Sequence, residues 1–215
     1  MESLSRTLAR RSLARSIAER EESYEEEIQA ILEATYRVIQ RTGSFDPTLR
    51  AILRESRLST EAFYKHFRSK DELLLLLLDD GRRKLVSYLA HRMDKTKIPV
   101  AKVRAWIEGV LAQAADPKAA ARTRPFLANR DRLAEQFPAE HQASVDLLVD
   151  LLADAIADLP GRAKKDGANA RRDAVAIYDV TFGALHRYLT SGAKPAPADI
   201  EHLVRFSVNA AGGKA

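Results

Sequence analysis

Two capped helix starts, at Ser59 and Ser69, lie so close together that the element between them has room for only about two turns. Ser69 with Glu72 has the spacing of a capping box, so the second helix is fixed at its first turn. Phe63 and Phe67 stand four residues apart and pack inward. Thr60, Glu61, Ala62 and Lys65 are then directed outward, while Tyr64, Lys65, His66 and Lys70 come close together. A short helix with small residues at its start and cations at its end suits a nucleic-acid groove with phosphates on either side.

The rest of the chain carries helical periodicity and no convincing alternating strand, which makes the fold class all-α. Residues 1–22 are rich in Arg, Ser and Glu and form a basic arm, either mobile or partly helical and extending the next helix. A firm helix spans Tyr24 to Arg41, with Ile28, Ile31, Leu32, Thr35, Val38 and Ile39 on one face and Gly43 as its stop. Asp46 or Thr48 caps a short helix that turns Leu49, Ile52 and Leu53 inward. The helix opened by Ser69 runs to about Met93, and its six consecutive leucines imply burial on more than one side. Further helices are expected near 99–115, 118–128, 139–159, 169–191 and 197–210, separated by Pro- and Gly-bearing breaks.

Composition narrows the function classes. A net charge of +5 favours an anionic partner. The absence of cysteine excludes disulfides, thiol nucleophiles and thiolate metal sites. The histidines lie apart with no His-x-x-x-His pair, so neither a metal nor another cofactor is expected. Arginines interrupt the N-terminus, and the longest apolar run, Leu73 to Leu78, is far short of a membrane span. A soluble cytoplasmic protein without membrane partners is the expectation.

Residues 28–73 resemble the TetR family of transcriptional regulators. The resemblance rests on Ile31-Leu32-Glu33-Ala34, Gly43, Thr48-Leu49-Arg50-Ala51-Ile52, Leu58-Ser59, Phe63-Tyr64-Lys65-His66-Phe67 and Ser69-Lys70-Asp71-Glu72-Leu73. It implies a three-helix helix-turn-helix domain over 23–73 and a helical effector-binding and dimerisation domain over 74–211. Thr48, Tyr64, His66 and Lys70 would then contact phosphates of a double-stranded, palindromic DNA operator. Thr60, Glu61, Ala62 and Lys65 would read bases, with Ser59 at the helix start. Two positions depart from the family pattern: Arg57 replaces the usual turn glycine, and Glu61 replaces a small residue.

The resemblance also implies a homodimer through the helices at 169–191 and 197–210, with Val175, Tyr178, Phe182, Leu185, Leu189, Ile200, Leu203, Val204 and Phe206 as contacts. A small, largely apolar effector would bind among Trp106, Val110, Gln113, Phe126, Asn129, Arg130, Leu148, Leu152, Tyr178 and Phe182. Ligand-dependent release from DNA, most often by a repressor, follows from that architecture. The competing readings are a non-specific architectural DNA-binding protein, which the basic charge would suit, and a helical enzyme, for which no catalytic constellation is visible.

Overall fold

The computed structural model describes residues 4–44, 46–128, 130–161 and 167–212. Among these residues there are ten α-helices: α1 (Leu4–Thr42), α2 (Leu49–Ser56), α3 (Thr60–His66), α4 (Lys70–Met93), α5 (Pro99–Ala115), α6 (Pro117–Ala128), α7 (Arg130–Gln136), α8 (Pro138–Ala157), α9 (Gly167–Ser191) and α10 (Pro197–Ala210). The chain divides at Leu73–Leu74 into two compact units.

In the first unit, Ile31, Ala34, Val38 and Ile39 of α1 are buried together with Ile52 of α2 and Phe63 of α3. The hydroxyl of Thr35 is buried in the same stripe and donates to the Ile31 carbonyl at 2.7 Å, which satisfies its polarity. Arg37 and Arg41 of α1 both donate to the Glu55 carboxylate of α2, at 3.0 and 2.9 Å. The Arg41 bond, then the Arg37 bond, hold that carboxyl below its ordinary value. Gly43 ends α1 in the left-handed region, φ 67°, with its N–H on the Ile39 carbonyl at 2.8 Å. The basic arm is helical and extends the first helix: α1 is continuous from Leu4, about 58 Å along its axis. The helix-forming Arg and Glu residues of the arm simply extend it.

In the second unit α5 contributes Val103, Trp106, Ile107, Val110 and Leu111 to a core shared with α8 and α9. Arg171 of α9 bridges Asp146 and Asp150 of α8 at 2.7 and 3.2 Å. Arg104 of α5 makes a paired contact with Glu201 of α10 at 2.6 and 3.1 Å. Arg92 of α4 reaches Glu108 of α5 at 3.2 Å. A Cβ at Gly109 would lie 2.4 Å from Leu89 Cδ2, so glycine lets α5 approach α4 at that point.

Two expectations need correction. The short helix α7 lies in a stretch where no helix was expected, because a two-turn segment shows too little periodicity to detect. In the leucine run, Leu73, Leu74, Leu77 and Leu78 are buried but Leu76 is 37% exposed, so burial covers one broad face rather than the whole circumference. Of the residues expected at a dimer contact, Tyr178, Phe182, Leu185, Leu189 and Val204 are buried in the subunit's own core. Val175 and Phe206 are exposed, and so is Val180. Gly109→Val should lower the unfolding free energy by about 1–3 kcal/mol through overpacking against Leu89, measured by chemical denaturation.

Candidate functional site

The helix-turn-helix is assembled by local chemistry. The Thr48 hydroxyl oxygen caps α2 by accepting from the Ala51 N–H at 3.2 Å. Ser59 caps α3 in the same way, accepting from the Ala62 N–H at 3.0 Å. Both residues are exposed, and each hydroxyl keeps its own proton for outward donation. Between the two helices Arg57 takes φ 60° and ψ 24°, the left-handed conformation that glycine adopts freely. An arginine there costs on the order of 1 kcal/mol and places an exposed cation in the turn. At the start of α4 the Ser69 hydroxyl accepts from the Glu72 N–H at 3.1 Å, while the Glu72 carboxylate accepts from the Arg68 N–H at 2.6 Å. This is a capping box whose return bond reaches one residue further back than usual.

Thr60 and Glu61 are exposed at the open end of α3, and Ala62 is half-buried beside them. Tyr64 projects outward, 58% exposed, with its ring edge-on to Phe63 at 5.3 Å. Lys65 is exposed but engaged: its Nζ donates to Glu27 at 3.2 Å and lies 5.0 Å over the Tyr24 ring. Lys70 forms an ion pair with Asp46, so Asp46 is not the cap of α2.

His66 is placed differently from the expectation. Its imidazole is fully buried and hydrogen-bonds the Glu27 carboxylate through Nε2. Its ring stands edge-on to Tyr24 at 4.1 Å, and the Tyr24 hydroxyl donates to the Lys65 carbonyl at 3.0 Å. The bonds from His66, and secondarily Lys65, hold the Glu27 carboxyl below its ordinary value. The histidine therefore positions α3 against α1 instead of reaching a phosphate. Sequence reasoning missed Tyr24 and Glu27 because their partners lie some forty residues away, beyond any periodicity; their only local signal is an aromatic and an acid one turn apart, ahead of the apolar stripe.

Of the expected effector residues, Trp106, Val110, Leu148, Leu152, Tyr178 and Phe182 all lie in one buried cluster. Tyr178 and Phe182 stack at 4.3 Å, and Trp106 lies 6.4 Å from Phe182. Gln113 is half-buried and accepts from Thr123 at 3.4 Å. Phe126 is also half-buried. Asn129 lies outside the described residues. Arg130 is partly exposed and bonds Asp131 at 3.0 Å. Arg82, which sequence reasoning did not select, is buried beside His141. Burial, then Arg82 and Arg130, lower the His141 pKa from 6.5 to about 4. A separate hollow of about 230 Å³, lined by Ala114, Ala120, Arg124, Tyr188 and Lys194 among others, shares none of the expected residues.

Comparison with known proteins places this geometry. Residues 31–77 match the model of the bacterial regulatory proteins, tetR family. No curated protein matches the chain by sequence. Solved structures share the fold across most of the chain. Reduced NemR from E. coli is 16% identical, with a TM-score of 0.61 over 85% of this chain and 96% of that one. The fatty acid degradation regulator FadR from Bacillus halodurans is 15% identical, with a TM-score of 0.63 over 84% and 94%. A TetR transcription regulator from Haloarcula marismortui is 19% identical, with a TM-score of 0.63 over 87% and 97%.

Two outcomes follow. His66→Ala should cost about 1–3 kcal/mol of stability and weaken binding to a DNA duplex without changing the slope of log K against log salt. A phosphate ligand would instead reduce that slope by about one. His141 binds its proton in the unfolded chain below pH 6.5 but in the folded chain only near pH 4. Stability from this group is therefore complete above 6.5 and lost as pH falls from 6.5 toward 4. Denaturation midpoints across that range should show the decline, and His141→Gln should flatten it.

Proposed function

We propose that the chain, whose residues 31–77 match the model of the bacterial regulatory proteins, tetR family, is a DNA-binding transcriptional regulator of that family and a ligand-responsive repressor. It acts as a homodimer that releases a palindromic operator when a largely apolar small molecule occupies the second unit. The observation that carries the DNA side is the outward face of α2 and α3. Thr48, Ser59, Thr60 and Tyr64 are exposed there, with Lys65 and Lys70 at the margin. Tyr64 and Lys70 hold phosphates, as do the Thr48 and Ser59 hydroxyls. Thr60, Glu61 and Ala62 face the bases, and Glu61 accepts from a cytosine amino group. Lys65 joins them by exchanging Glu27 for DNA.

Support for the dimer comes from the apolar side chains that α9 and α10 leave in solvent: Val175, Val180 and Phe206. Gly183 has open space around the position of a Cβ, which leaves that helix surface low enough for a partner helix. Two recognition helices held about 34 Å apart would read the two halves of a palindrome. Helix α4 begins at the DNA-side cap and continues into the second unit without interruption. It is the covalent route by which effector binding alters the spacing of the two recognition helices.

The test is fluorescence anisotropy or gel shift on the promoter nearest the gene, with a scrambled duplex at the same salt. Specific binding should exceed scrambled binding by roughly a thousandfold or more. Lys70→Ala should weaken both and reduce the salt slope by about one. Equal affinity for both duplexes, there and genome-wide, would identify a non-specific architectural protein instead.

A further inference from the structure

The second unit encloses a charge to which no carboxylate is bonded among the described residues. Arg82 of α4 is 7% exposed, and its Nη1 has no hydrogen-bond partner. Its Nη2 hydrogen-bonds the ring of His141, 3.4 Å from each ring nitrogen, a partner that brings no negative charge. Asp79, nearly one turn earlier, attracts Arg82 but bonds Arg83 at 2.6 Å. Arg130 is close enough to act on Arg82, His141 and Tyr178 and is itself bonded to Asp131. A buried guanidinium in that state is strongly unfavourable until an anion reaches it.

Other polar atoms in the same unit are left over. Trp106 Nε1, Ser144 Oγ and Thr181 Oγ1 are buried with no hydrogen-bond partner. Ser144 stands nearly one turn from His141 on α8, and Thr181 nearly one turn from Tyr178 on α9. Native folds leave few buried polar groups unpaired, and a bound ligand is one explanation for a set of them. Beside these atoms the stacked Tyr178 and Phe182, with Trp106, form an aromatic wall.

We propose that the second unit binds an apolar monocarboxylate, its carboxylate on the Arg82 guanidinium and its body against Trp106, Tyr178 and Phe182. The inference rests on the reading of this unit as the effector domain and names the effector's class. A planar guanidinium suits the two oxygens of a carboxylate. Arg130 already has Asp131, so one positive charge remains to be matched. A monoanion matches it, whereas a dianionic phosphate ester leaves a surplus negative charge.

Trp106 is the chain's single tryptophan and reports on its own site. The full-length protein, without DNA, is titrated with benzoate, 4-phenylbutyrate and decanoate, their primary amides, and phenyl phosphate, reading Trp106 emission. At least one carboxylate should bind, with its amide about tenfold to a hundredfold weaker. Arg82→Met should abolish that preference while melting no lower than the native chain, because it removes an unpaired buried charge. Arg82→Lys should keep the preference for acid over amide in reduced form, and it decides the matter if Arg82→Met does not fold. Equal binding of acid and amide, tighter binding of phenyl phosphate, or no binding by any carboxylate would overturn the proposal. So would an Arg82→Met chain that melts lower yet keeps the preference. The readout contains no DNA, so failure here leaves the DNA-binding reading standing, and failure of operator binding leaves this result intact.

Discussion

The seat of the recognition helix depends on one carboxylate. Glu27 accepts from the buried His66 and from Lys65, and Tyr24 closes the group by bonding the Lys65 carbonyl. A seven-residue helix is too short to hold itself, so its orientation comes from what it packs on. Phe63 and Phe67 supply the apolar contact, but such contact has no direction. The bonds to Glu27 are directional, and they fix the rotation that sends Thr60, Glu61 and Tyr64 outward. The cost is that Lys65 is committed to a contact within the protein.

The second unit divides its labour in the same way. Its stability lies in the buried cluster from Leu89 to Ala211, while its ion pairs sit where solvent weakens them. Arg104 to Glu201 and Arg171 to Asp146 choose which faces of the helices meet. They add little to how strongly those faces hold. Arg82 is the exception, a charge placed where solvent does not weaken it and no ion pair completes it.

The helical class and the two short helices of the DNA-reading segment were legible because caps and periodicity are local. Ser59, Ser69 with Glu72, and Gly43 do in the structure what their chemistry requires. The arm runs on into the first helix although Ser23 with Glu26 has the spacing of a capping box, because no glycine or proline interrupts residues 4–42. An apolar residue at helical spacing reads the same whether it is buried or exposed, so the sequence did not separate the buried Phe182 from the exposed Phe206. His66 and Arg82 were misread or missed for a common reason. The partner that defines each one is remote in the chain, Glu27 for the first and His141 for the second.

The arginine at the left-handed turn has a consequence for how this chain could change over time. A glycine there would shape the turn and contribute nothing else. Arg57 shapes it against a conformational penalty and sets a cation beside the recognition helix, off its base-facing side. Under the proposed function, exchanging that one residue would raise or lower general attraction to DNA while the face bearing Thr60 and Glu61 stayed as it is. On that reading, strength of binding and choice of sequence are carried by different residues and can drift independently.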